Sequence, residues 1–164
     1  MFDPRGFSAY ERLGFPYQRG WLITFALLTL LASLATLGGV ATRDPRESRQ
    51  TPTQALASLL QTTQAVLWLT ALVGVGLFAA SSTNVAKVFF GWPSGWLLTA
   101  SACAFVSTLL TLATLAMAPV VWRGGRRVDS WTGLRKLAFT CTSLIFTSFA
   151  MILAAWGFLE FWNT

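Results

Sequence analysis

Four long apolar runs, interrupted only by short polar segments, dominate the pattern along this chain, at residues 21–41, 55–80, 96–121 and 131–160. The first three carry no charge at all, and the fourth holds about 23 uncharged residues between Lys136 and Glu160. A helix rises about 1.5 Å per residue, so roughly 20 apolar residues cross a hydrocarbon layer of about 30 Å. Each run is long enough, and none alternates apolar and polar residues in the manner of a strand. The pattern predicts an all-α, integral membrane four-helix bundle. Residues 1–20 read as an interfacial tail, in which Phe2, Phe7, Tyr10, Phe15 and Tyr17 are interleaved with Arg5, Arg12 and Arg19, and residues 21–164 as the bundle.

Composition agrees. The 164 residues are 54% hydrophobic and 11% charged, with mean hydropathy +0.58, where soluble domains carry about 25% charged residues. The length suits one bundle. The first apolar run is too long for the core of a cleavable leader, so it is expected to stay in the membrane.

Small residues at helical spacing predict where helices approach one another. Gly76 and Ala80 form such a pair in the second run. Ala104, Ser107 and Thr111 belong to a stripe in the third that starts at Ala100 and runs to Ala118, and Thr147, Ala150 and Ala154 follow Thr140 and Ser143 in the fourth. Gln61 and Gln64, a turn apart, are the strongly polar residues of the second run and read as interhelical hydrogen-bonding groups. Trp21, Trp92, Trp96, Trp122, Trp131, Arg135, Lys136, Trp156 and Trp162 flank the runs as interface anchors. Pro52 stands at a favoured position for starting a helix, and Asp129 or Ser130 is a candidate cap for the fourth. The fourth helix is expected to continue unbroken from Ser130 to Glu160.

The charges behind the net +6 lie in the tail, in the connections and at the two ends of the fourth run. The first and third connections, with Arg135 and Lys136 at the entry to the fourth run counted in, carry eight Lys and Arg, while the tail and the second connection carry four. The positive-inside rule then places both ends of the chain outside the cytoplasm. Basic residues so placed touch lipid head groups, not nucleic acid, for which no basic helix face or aromatic platform exists. The chain has no histidine, no glycine-rich phosphate loop and no Gly-x-Ser-x-Gly elbow. No catalytic residue, metal ligand or cofactor site is therefore assigned, and the chain is expected not to be an enzyme.

The fourth run and its surroundings resemble a known family. The pattern W-x(3)-R-x-L-x-x-T occurs at Trp131, Arg135, Leu137 and Thr140, followed by an apolar span and Phe161-Trp162-Asn163. This resembles the last helix of the membrane region that follows the catalytic domain in bacterial serine hydrolases of the beta-lactamase and penicillin-binding class. The segment AYERLGFPYQRGW, Ala9 to Trp21, resembles the junction where that domain meets its first span, and Gly91-Trp92-Pro93 and the basic third connection sit where that region has theirs. The resemblance implies a bacterial inner membrane and an extracytoplasmic N-terminus. The family's catalytic Ser-x-x-Lys is missing, so its hydrolase activity is not implied.

These readings predict a non-catalytic small membrane subunit, multi-pass with extracytoplasmic termini, that packs against a larger complex of respiratory or photosynthetic kind. The alternatives are an anchor for a separately encoded extracytoplasmic serine hydrolase and a binder or carrier of a lipid or small apolar ligand. The expected partners are the lipid bilayer and other membrane subunits. Cys103 and Cys141 fall about 14 Å apart in depth under this topology, beyond the roughly 7 Å that a disulfide permits. Intact-mass analysis without reductant is expected to show two reduced thiols; a mass lower by two hydrogens, with no intermolecular link, would contradict the topology.

Overall fold

The computed structural model describes residues 18–42, 50–82, 94–123 and 130–159. It contains four helices, α1 (Arg19–Ala41), α2 (Pro52–Ser81), α3 (Gly95–Arg123) and α4 (Gly133–Ala155), and all four are long and apolar enough to cross a membrane. They form an all-α bundle with no strand among the described residues. Each packs on two neighbours in the ring α1–α2–α3–α4, so α2 and α4 face each other across the centre. Gln64 meets Ser107 and Thr111, whereas Gly74 meets Ala100. That order makes α2 and α3 antiparallel, and it brings the connections α1–α2 and α3–α4 to one end.

Local chemistry sets the helix ends. Thr51 caps α2: its hydroxyl accepts from Gln54 N at 3.3 Å, and Gln54 Oε1 accepts from Thr51 N at 3.4 Å, with Pro52 in the first turn. The expected cap at Asp129 or Ser130 is corrected: Thr132 caps α4, its hydroxyl accepting from Arg135 N at 3.4 Å. Nor does α4 run to Glu160. Gly157, at φ +70°, takes the left-handed position, with Gly157 N–H on Ala154 O and Phe158 N–H on Leu153 O, both at 3.0 Å. That arrangement closes a helix through a glycine, and a side chain there would be strained. Helix α1 starts at Arg19, two residues inside the segment assigned to the tail. Residues 1–17, Trp92, Glu160 and Trp162 lie outside the described residues.

Two different surfaces hold the bundle together. Between α2 and α3 the contact is made by small residues. A Cβ on Gly74 would stand 3.0 Å from Trp96 O and 3.1 Å from Ala100 Cβ, so the absent side chain is what lets the helices approach. Across the centre the filling is aromatic. Trp68, fully buried, has its ring centroid 5.0 Å from that of Phe149 and 6.4 Å from that of Phe146, within the range of favourable tilted pairs. Ala32, Ala65, Ala71, Ala104, Ala150 and Leu153 close around them.

Several expected packing positions are corrected. Gly76 and Ala80 are exposed, and nothing lies within 4 Å of where a Gly76 side chain would start. Two residues advance about 200° around a helix, which puts Gly74 inside and Gly76 outside. On α4, Ser143 and Ala150 are buried, but Thr147 is half-buried and Ala154 exposed. The inward face is rotated so that Phe139, Phe146, Phe149 and Leu153 fill the core instead of a small-residue stripe. Ala104, Ser107 and Thr111 are buried. Cys103 and Cys141 are both free.

Gly74→Leu is expected to destabilise the bundle by about 1–3 kcal/mol, the usual range for overpacking, while Gly76→Leu leaves the isolated chain's stability unchanged. Unfolding midpoints of detergent-solubilised protein compare the two directly.

Candidate functional site

The described residues form a polar cluster at the end where the α1–α2 and α3–α4 connections meet. Gln54 anchors it. Besides its role in capping α2, Gln54 Oε1 accepts from Trp131 N at 3.1 Å and Gln54 Nε2 donates to Ser130 Oγ at 3.0 Å. One side chain, 1% exposed, thus ties the start of α2 to the segment entering α4, 77 residues later in sequence. A second glutamine, Gln50, completes the cluster: its Oε1 accepts from Trp131 Nε1 at 3.0 Å and from Arg135 Nη2 at 2.9 Å. The Arg135 guanidinium carbon stands 4.2 Å from the Trp131 ring centroid, a cation–π distance.

Trp131 and Lys136 are corrected as interface anchors. Both are buried, at 5% and 7% exposure. Trp131 packs on Phe139, with ring centroids 5.7 Å apart, and shares a small core with Ala57 and Val121. Lys136 is buried because it stands three residues before Phe139 and seven before Ser143, in phase with the inward face of α4. Arg135 is half-buried. Trp21, Trp96, Trp122 and Trp156 are exposed, and Trp122 also donates to Thr140 Oγ1 at 3.0 Å.

A cavity of about 270 Å³ opens beside the cluster, between α1, α2 and α4. Ser58, Gln61, Thr62, Thr132 and Arg135 give it polar walls, and Val40, Leu134 and Phe139 apolar ones. A second cavity, of about 220 Å³, lies between the same helices toward the opposite end. It is lined almost wholly by apolar groups, including Leu22, Leu72, Leu153 and Phe158, with Trp68 at its inner wall.

Deeper in the bundle, Gln61 and Gln64 reach different helices, not one shared polar site. Gln61 Nε2 donates to Phe139 O on α4 at 3.2 Å. Gln64 makes a reciprocal pair with Ser107, its Nε2 donating to Ser107 O while Ser107 Oγ donates to Gln64 O, each at 3.3 Å. Gln64 Nε2 also donates to Thr111 Oγ1, and Thr114 Oγ1 donates to Gln64 Oε1 at 3.4 Å. Most hydroxyls elsewhere on the helices donate to their own helix's carbonyl one turn back, as Thr62, Thr108 and Ser143 do. By contrast Thr29 Oγ1, Ser33 Oγ and Trp68 Nε1 are buried without a hydrogen-bond partner.

Gln61 and Gln64 are visible in the sequence as polar residues in an apolar run. Gln50 and Gln54 are not, because they precede the second run, where a polar residue is unremarkable. Chemically the cluster can hold a cationic guanidinium in a set orientation beside an amphipathic groove. No group of three or more potential metal ligands occurs among the described residues.

Gln54→Leu strands the Trp131 backbone N–H in a buried site, at a cost of about 1–3 kcal/mol. Gln64→Leu is expected to cost less, about 0.6–1.7 kcal/mol, the range measured for hydrogen bonds between membrane helices. Denaturant titration in detergent micelles gives the order. Comparison of the chain with protein-family models, with curated proteins and with solved structures finds no match in any of the three.

Proposed function

We propose that this four-helix membrane protein is a non-catalytic subunit that packs against other membrane proteins, with both ends of the chain outside the cytoplasm. The observation that supports this most is the set of small residues on faces its own bundle leaves open. Gly38, Gly76 and Ala80 are exposed, and the space within 4 Å of where a Cβ would stand on each of the two glycines is open. Helix pairs in lipid associate where small residues let backbones approach. Helix α1 also buries only Thr29, Ala32 and Ser33 of its 23 residues, which leaves most of its surface for lipid or a neighbour. The orientation is supported by the charge asymmetry between the two sides, eight Lys and Arg in the first and third connections and the entry to the fourth run against four in the tail and the second connection.

Extraction in mild detergent, followed by native gel electrophoresis and mass spectrometry, tests the proposal. The parent chain is expected to migrate in a larger assembly, and Gly76→Leu with Ala80→Leu to migrate as the free bundle with unchanged helix content. A parent chain that runs alone would overturn the subunit reading. The resemblance to the hydrolase membrane region supports a second reading, an anchor, which the same gel distinguishes by a single partner carrying a soluble catalytic domain.

A further inference from the structure

We infer that the larger cavity, between α1, α2 and α4, binds an uncharged amphiphile that carries hydroxyl groups, of the monoacylglycerol type. The observation that points to a ligand is three side-chain polar atoms left without a partner on its walls. Ser58, Gln61 and Thr142 all line the cavity of about 270 Å³. Among the described residues, Ser58 Oγ, Gln61 Oε1 and Thr142 Oγ1 make no hydrogen bond, whereas Thr62, Thr108 and Ser143 each donate one turn back along their own helix. Nor are the three enclosed, as the unpartnered Thr29, Ser33 and Trp68 atoms are, so a ligand can reach them. Ser58 and Gln61 share one face of α2, and Phe139 and Thr142 share one face of α4, three residues apart in each case. The Gln61 bond to Phe139 O sets those two faces opposite each other.

Gln61 decides the chemistry of the ligand. The residue is 9% exposed, and its Nε2 donates to Phe139 O at 3.2 Å. A carbonyl oxygen only accepts, so the amide nitrogen must face it and the amide cannot be turned round. What remains open is Oε1, an acceptor, and a ligand there must bring a donor. Phosphate, carboxylate and ester oxygens bring none, whereas an alcohol does. The Ser58 and Thr142 hydroxyls donate as well as accept and suit the other oxygens of the same molecule. The facing wall decides the rest. On α1, Thr36 donates to Ala32 O at 2.8 Å, and Ala35 and Val40 leave that side of the cavity apolar. Water would satisfy the polar atoms but would also wet this wall, while an amphiphile covers both surfaces. The site uses no charged group and lies apart from the outward glycine face of α2, so it stands or falls independently of the subunit reading.

The test is native mass spectrometry of the full chain in lauryldimethylamine oxide, a detergent with no hydroxyl to compete, with equimolar 1-oleoylglycerol and methyl oleate added. The two share an acyl chain and lack charge, and only the first has hydroxyl groups. It is expected to be retained roughly tenfold more than the ester, the ratio that one or two net hydrogen bonds supply. Ser58→Ala with Thr142→Val removes hydroxyls that hold nothing in the bundle. That pair is expected to leave the unfolding midpoint of the lipid-free protein unchanged and to lower the ratio about threefold or more. Gln61→Met, of similar length, is expected to bring the ratio close to one. Equal retention by the parent would overturn the inference and leave water as the occupant. An unchanged ratio in either variant would overturn it too. So would loss of the oleoylglycerol on adding millimolar glycerol, which would make the cavity a site for a free polyol.

Discussion

Hydrocarbon offers no hydrogen-bond partner, and this constraint governs the structure from backbone to site. A chain crossing the bilayer must satisfy its own N–H and C=O groups, so each crossing here is a helix. The same constraint acts on side chains. Most Thr and Ser hydroxyls fold back on carbonyls of their own helix, and the glutamines reach across to a neighbouring helix, Gln61 to α4 and Gln64 to α3. Those bonds fix which helix faces which. Apolar contact alone cannot do so in lipid, where a leucine meets equally apolar surroundings inside the bundle and outside it.

Packing therefore rests on shape. The α2–α3 pair is close because Gly74 has no side chain where Trp96 O and Ala100 sit. The α2–α4 diagonal is wide and is filled by Trp68, Phe146 and Phe149. Helix α1 lies against this frame with few residues buried, and both cavities form where it meets α2 and α4. The unpartnered Thr29, Ser33 and Trp68 atoms belong to the same side of the molecule. A tight seam thus holds α2 against α3, while open space and unsatisfied polar groups collect where α1 joins α2 and α4.

The sequence shows the four helices plainly because length and the absence of charge suffice to identify a span. It shows their inward faces poorly, and the reason is physical. In water, burial sorts apolar from polar around a helix and leaves a periodic trace; in lipid both faces are apolar and the trace fades. Gly76 and Ala80 have the spacing of a packing pair, yet Gly74, two residues earlier, makes the contact. Trp131 and Lys136 have the look of anchors because basic and aromatic residues flank spans. The setting of Trp131 depends on Gln50 and Gln54, far off in sequence, and no local pattern announces that. The cap at Thr132 and the glycine closure at Gly157 obey ordinary rules, but the long apolar run extends past both and hides them.

A membrane-embedded bundle requires α2 to turn one face to lipid and the other to protein. Nitroxide labels at Leu59, Val66 and Val73, all exposed, and at Ala65 and Ala71, both buried, report this in reconstituted bilayers through their accessibility to oxygen and to a polar nickel complex. The first three should be relaxed strongly by oxygen and weakly by nickel, and the last two weakly by both. Strong nickel accessibility at Leu59, Val66 and Val73 would mean that water surrounds the helix, and the description of a membrane-embedded bundle would be wrong.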